Sequence, residues 1–149
     1  MATEFQKKKA KEICEKYGVK LSLRIKNYAG TADYRKNVVS VNSDLTKDSF
    51  FSALFHEIGH IHCYRNKIWA AYHYDVETFT EELFNEYKRT AFEAECWIDK
   101  WAEEEMKKCF PKLPYFKAFD FETRQGEEYL DNHNKKFYKQ ASIFFNSEY

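Results

Sequence analysis

Proline and glycine are scarce, at 2 and 4 of 149 residues. So few backbone breakers exclude a collagen-like or low-complexity chain and leave a helix-rich body with few long loops. Charge of one sign is also lacking: 24 basic side chains balance 24 acidic ones, which excludes a polyanion-binding tail. The longest apolar run, FFSALF, is far short of the roughly 20 residues that cross a bilayer. The opening MATEFQKKKAKEI turns charged at once and carries no apolar stretch of signal-peptide length. Cys14, Cys63, Cys96 and Cys109 lie far apart with no CxxC pair, so a zinc ribbon and a thioredoxin-like redox motif are both excluded. The expectation is four free thiols in a soluble, cytoplasmic protein with no membrane partner.

What is present is core material. Hydrophobic residues make up 44% of the chain and aromatic ones 19%, enough for one sizeable core in a chain of this length. A single domain over residues 1–149 is expected. The balanced total hides an asymmetry, because residues 1–75 carry 13 basic and 8 acidic groups while residues 76–149 carry 11 and 16. The molecule should be electrically dipolar.

Phe5, Ile13 and Tyr17 fall at helical spacing in 4–17, and Gly18 follows where a helix ends. Leu21, Leu23 and Ile25 alternate with polar neighbours, the period of a half-buried strand. Residues 29–44 read as a hairpin: a strand over Thr31–Tyr34, a turn at Arg35–Asn37 and a return strand over Val38–Asn42. A small, mostly antiparallel sheet is therefore predicted. After the candidate caps Ser43, Asp44 and Thr46, the residues Phe50, Phe51, Leu54, Ile58 and Ile61 repeat at three and four, which predicts a central helix. Thr78 with Glu81 fits a capping box, and Leu83, Phe84, Tyr87, Ala91, Ala94, Ile98, Trp101, Ala102 and Met106 continue a long helix up to Pro111, with a break near Lys88. The aromatic-rich residues 111–149 are expected to form short helices over the core. The fold class is α+β, with the sheet packed on the central helix and the long helix after it.

Inside the central helix stands His56-Glu57-Ile58-Gly59-His60, an HExxH string. Spacing of i and i+4 stacks the two imidazoles on one helix face, where both reach one metal ion, and Glu57 projects beside them toward a water on that ion. Zinc suits such ligands, and three protein ligands leave its fourth position for water. Projected around the helix, Phe51, Leu54, Ile58 and Ile61 form one face and the two histidines fall nearly opposite. The third ligand is sought on the long helix. Glu95 projects to the edge of the apolar stripe with Ala91, Ile98 and Ala102, whereas Glu93 points away with Arg89 and Lys100. An inward carboxylate without a partner is costly, and a metal ion removes that cost. Glu95 is favoured, with His73 and Glu93 as the alternatives. Asp99, one turn on, can accept the second ring N–H of a ligand histidine.

HEIGH followed by Glu95-Cys-Trp-Ile-Asp99 resembles the HExxH…ExxxD arrangement of gluzincin metallopeptidases. It is most similar to the small ImmA/IrrE metallopeptidases, in which a hairpin ending in Asn-Ser precedes the HExxH helix, as Val41-Asn42-Ser43 does here. The resemblance covers roughly residues 19–110 and departs from the family pattern at Ile98 and Asp99. It implies a minimal zincin-like fold, one Zn2+ and a protein substrate such as a DNA-binding repressor or regulator of a phage or other mobile element. The longer HExxHxxGxxH signature is excluded by Cys63 and Asn66 at its Gly and third His positions.

The expected activity is zinc-dependent hydrolysis of a peptide bond, with Glu57 as the general base and the substrate adding alongside Val38, Val39, Ser40, Val41 and Asn42 through main-chain hydrogen bonds. Tyr34, Tyr64, Tyr72 and His73 are candidate oxyanion donors. His62 reads as a hydrogen-bonded core residue, and Trp97 and Trp101 as packing residues. Lys7, Lys8, Lys9 and Lys11, without interleaved aromatics, read as solubility charge, so no direct nucleic-acid contact is expected. The competing reading is a binding or regulatory protein that keeps the zincin scaffold without turnover.

Overall fold

The computed structural model describes residues 2–24, 28–70, 72–73 and 81–117. Helix α1 spans Glu4–Tyr17. The Thr3 hydroxyl accepts from the Gln6 backbone N–H at 3.1 Å, and the Gln6 side chain accepts from the Thr3 backbone N–H at 2.8 Å. That reciprocal pair satisfies two N–H groups that a helix start otherwise leaves open. Three short strands follow: β1 (Lys20–Ser22), β2 (Gly30–Asp33) and β3 (Val38–Val41). Asn37, in the left-handed region at φ 59°, closes the β2–β3 turn, a conformation that its short polar side chain tolerates.

The hairpin forms as expected, with Thr31 opposite Ser40 and Ala32 opposite Val39. The sheet as a whole differs from the expectation. Its order is β1-β3-β2, and β1 pairs with β3 in parallel, Leu21 facing Val39. The sheet is thus mixed rather than mostly antiparallel, because β1 skips its neighbour in sequence and joins the far side of the hairpin. This order also overturns the substrate strand. β3 is central, so the backbone groups of Val38, Val39 and Ser40 are engaged by β1 on one side and β2 on the other. Val41 pairs with Gly30, the Asn42 N–H is given to the Ala29 carbonyl at 2.9 Å, and Val39 and Val41 are fully buried. An incoming peptide has no room along this strand. Among the described strands, the edges are β1 and β2.

Helix α2 spans Lys47–Asn66 and packs on β2, β3, α1 and the long helix α3 (Glu81–Cys109). Thr46 stands at its N-cap, but the hydroxyl makes no capping bond. With neighbours on several sides, α2 is buried around most of its circumference: Phe50, Phe51, Leu54, Phe55, Ile58 and Ile61 are all at 1% exposure or less. Each such side chain contributes about 1.5–3 kcal/mol through removal from water. Arg65 at the end of α2 donates to the Tyr17 carbonyl at 2.5 Å and the Gly18 carbonyl at 2.6 Å, and also to the Asn37 side chain. It thereby ties α2 to the end of α1 and to the hairpin turn.

Helix α3 runs for 29 residues without a break at Lys88. Tyr87, Ala91, Ala94, Ile98, Ala102 and Met106 line its buried stripe, the three-and-four spacing of a helix packed along one face. The small residue that lets α2 and α3 approach is Gly59, where an added Cβ would stand 2.9 Å from Ile98 Cγ2. Beyond α3 the chain turns back, Phe110 packing on Phe51 at 4.6 Å between ring centroids and the Phe116 N–H meeting Ser52 Oγ at 2.9 Å. Ile25, the Thr78 cap and residues 118–149 lie outside the described residues. No described helix is long and apolar enough to cross a membrane, and all four cysteines are free thiols.

Candidate metal centre

One turn of α2 separates His56 from His60, and their Nε2 atoms come to 3.2 Å. Because α3 lies against this face, Glu95 reaches both rings. Its Oε2 is 3.1 Å from His56 Nε2 and its Oε1 is 3.4 Å from His60 Nε2. An ion held tetrahedrally with bonds of about 2.0–2.1 Å separates its ligand atoms by about 3.4 Å. The two imidazole nitrogens stand close to that spacing, and Glu95 approaches each of them with a different oxygen. His56, Glu57 and His60 form a group that can hold a metal ion, with one ligand atom from each lying within 4.8 Å of the others.

These groups converge in the protein interior. His60 and Glu95 are buried and His56 is half-buried. Glu95 Oε2 is the one buried side-chain polar atom among the described residues with no hydrogen-bond partner, its approach to His56 being one of proximity only. A buried carboxylate needs a positive or donating neighbour, and the two imidazoles stand closest to it. Burial alone would raise the Glu95 carboxyl. The positive fields of His60 and His56 and the Tyr72 hydroxyl outweigh it and hold the group well below the usual carboxylate range. Burial lowers the His56 imidazole, but the Asp99 hydrogen bond and the Glu95 carboxylate outweigh it and keep His56 cationic well above the usual histidine range.

Asp99 stands behind His56. Its Oδ1 is 2.8 Å from His56 Nδ1 and also accepts from the Tyr115 hydroxyl at 2.7 Å. A buried carboxylate at Nδ1 takes the N–H there and turns Nε2 toward Glu95 and His60. Glu57 is half-buried beside the pair, and Gly30 on β2 makes its place: a Cβ there would come within 2.7 Å of Glu57 Cγ. Burial, opposed by His56 and reinforced by Glu95 and Asp99, pushes the Glu57 carboxyl up to about 7.

The two other candidate ligands are not in the cluster. Glu93 is exposed on the opposite side of α3. His73 is buried, but its Nε2 meets His60 Nδ1 at 2.9 Å, behind the ligand ring instead of in front of it. Burial lowers the His73 imidazole to about 4, so it is neutral. Of the candidate oxyanion donors, His73 is engaged by His60 and the Tyr72 hydroxyl donates to Glu95 Oε1 at 2.5 Å. Tyr34 lies over the site, its ring 5.4 Å from that of His73 and 6.4 Å from that of His60. Burial first, then the Glu95 and Glu57 carboxylates, keep its hydroxyl protonated far above the usual tyrosine range. Tyr64 stacks on Tyr34 at 5.4 Å.

His62 is not the core residue expected. It is half-exposed, stacked on Trp101 at 4.7 Å between centroids, with Asn66 at its Nδ1. Trp101 in turn packs against the core beside Tyr17, a packing role as read from the sequence. The supporting contacts of Tyr72, His73 and Tyr115 had no signal in the sequence, because nothing in their spacing relates them to the helices they serve. Comparison of the chain with protein-family models, with curated proteins and with solved structures finds no match.

Proposed function

We propose that this protein is a zinc-dependent metallopeptidase that hydrolyses a peptide bond of a protein substrate. The observation that carries the reading is the convergence of three side chains: His56 Nε2 and His60 Nε2 stand 3.2 Å apart, and Glu95 sets Oε2 3.1 Å from the first and Oε1 3.4 Å from the second. Two imidazoles and one carboxylate are a donor set that zinc accepts while retaining an open position. Bound there, zinc supplies a Lewis acid that polarises the scissile carbonyl and acidifies water.

The remaining steps belong to the chain's own residues. Glu57 takes a proton from the attacking water and passes it to the leaving amine, so that water and peptide become one carboxyl and one amino terminus. Tyr34, kept protonated, donates a hydrogen bond to the developing oxyanion. The substrate main chain runs along the outer edge of β2, the edge strand whose Gly30 touches Glu57, in place of the occupied β3. The fold is then a minimal zincin-like scaffold. The resemblance to ImmA/IrrE metallopeptidases makes a DNA-binding repressor or regulator of a mobile element the first substrate class to test.

Glu57→Gln tests the reading. It should retain stoichiometric zinc and lose hydrolysis by about 10²-fold or more. Unchanged cleavage, or an unchanged effect on the repressor without any cleavage, would overturn it in favour of a non-catalytic zincin-fold regulator.

A further inference from the structure

Tyr72 and His73 are consecutive residues of the segment that leaves α2, and both side chains are buried. They touch different ligands on different helices: Tyr72 reaches Glu95 on α3, and His73 reaches His60 on α2. We propose that they are the positioning pair of the metal site, His73 fixing His60 in the tautomer whose Nε2 presents a lone pair to the ion, and Tyr72 tying down Oε1 of Glu95 so that Oε2 is the ligand oxygen. The inference rests on the metal reading above and goes beyond it by assigning how two of the three ligands are aimed.

The tautomer follows from hydrogen-bond roles. The Nδ1 of His73 faces the Trp69 carbonyl at 3.3 Å. A carbonyl oxygen only accepts, so His73 carries its proton on Nδ1 and presents a lone pair at Nε2. That lone pair faces His60 Nδ1 at 2.9 Å, so His60 must donate there, which places its proton on Nδ1 and a lone pair on Nε2, the nitrogen that faces His56 and Glu95. Where a carboxylate or carbonyl usually holds a ligand histidine, this chain uses a second imidazole, itself oriented by the main chain. The backbone is bent to reach this arrangement, Lys67 and Trp69 lying at φ 56° and 52°.

Tyr72 acts on the other ligand. Its ring is stacked on Tyr87 of α3 at 5.0 Å between centroids, which fixes the direction of the hydroxyl. The 2.5 Å bond to Oε1 engages that oxygen, and Oε2, 3.1 Å from His56 Nε2, is the one left bare. A carboxylate held by one oxygen binds an ion through the other.

The test uses the full chain. Zinc affinity is measured by chelator competition for the wild type, His73→Phe, His73→Gln and Tyr72→Phe, and the zinc-loaded wild type with ¹⁵N-labelled histidine is examined for coupling across the His60–His73 hydrogen bond. The inference predicts His60 as the Nδ1–H form coupled to His73 Nε2. It also predicts a loss of about 10- to 100-fold in zinc affinity for His73→Phe and for Tyr72→Phe. His73→Gln, whose amide oxygen can still accept from His60, should bind more tightly than His73→Phe. Absence of the coupling, wild-type affinity in His73→Phe, or equal losses for the Phe and Gln variants would overturn it. A wild-type chain that takes up no zinc would overturn the metal reading and this inference with it. Uptake by the wild type with undiminished affinity in the variants would overturn this inference alone.

Discussion

Gly59→Ala separates the stability of this fold from the aim of its site. Gly59 lies inside α2 between the two histidines, and helix propensity alone favours alanine there by about 1 kcal/mol. Packing opposes it. The new Cβ would stand 2.9 Å from Ile98 Cγ2 and 3.2 Å from Trp101 Cε3, against an optimum of about 3.5–4.0 Å between carbons. Ile98 is fully buried and has nowhere to turn, so α3 must retreat by roughly half an ångström at this level or Ile98 must leave its rotamer. Overpacking of this kind costs about 1–3 kcal/mol, and after the gain in propensity the net loss of stability should be no more than about 2 kcal/mol. The site is less forgiving. Glu95 lies on the same turn of α3 as Ile98, and ligand distances must hold within about 0.2 Å. Zinc affinity should therefore fall by about tenfold or more, out of proportion to the change in thermal stability of the metal-free protein. Ile98→Ala removes the methyl that the new Cβ meets. The double variant should bind zinc more tightly than Gly59→Ala alone, with a coupling above about 0.5 kcal/mol. Wild-type affinity in Gly59→Ala, or two effects that simply add, would refute the reasoning.

Gly30→Ala should act on Glu57 instead of on the ligands, because its Cβ would come within 2.7 Å of Glu57 Cγ and 3.0 Å of the Ser40 carbonyl; peptide hydrolysis should fall by about 10²-fold while zinc is retained, as metal analysis beside a cleavage assay would show. Tyr115→Phe removes a donor to Asp99 Oδ1 and should lower stability by about 1 kcal/mol in chemical denaturation, with a weaker hold on zinc through His56. The thiols divide by burial: desolvation, aided by Glu15 at Cys14 and by Glu95 at Cys63, pushes both up to about 12. At pH 8, iodoacetamide should therefore modify only the half-buried Cys96 and Cys109 in the native protein and all four after unfolding, as intact-mass measurement would show.

The elements most legible in the sequence were those with local punctuation. Gly18 marked the end of α1, the Arg35–Asn37 turn marked the hairpin, and the three-and-four repeat from Phe50 to Ile61 marked α2. The inward side of Glu95 and the exposed side of Glu93 also came from local periodicity, since residues two apart on one helix point to opposite sides. The pairing of β1 with β3 was not legible, because alternation at Leu21 and Leu23 gives a strand's faces and not its neighbour. From that gap followed the misplaced substrate strand at Val38–Asn42. The single apolar face drawn for α2 was too narrow for the same reason, as a helix packed against both sheet and α3 buries His60 as well as Ile61. His73 was read as a ligand or oxyanion donor because its residue type was visible and its direction was not. The contact of Tyr115 with Asp99 spans a helix end and a reversal of the chain that no spacing encodes.

Zinc content and X-ray absorption of the purified chain test the central claim most directly. The account predicts one zinc per chain, with two imidazole nitrogens at about 2.0 Å and an oxygen shell, and loss of stoichiometric zinc in Glu95→Ala. A chain that purifies and reconstitutes without zinc, or zinc held with no imidazole in its shell, would contradict it.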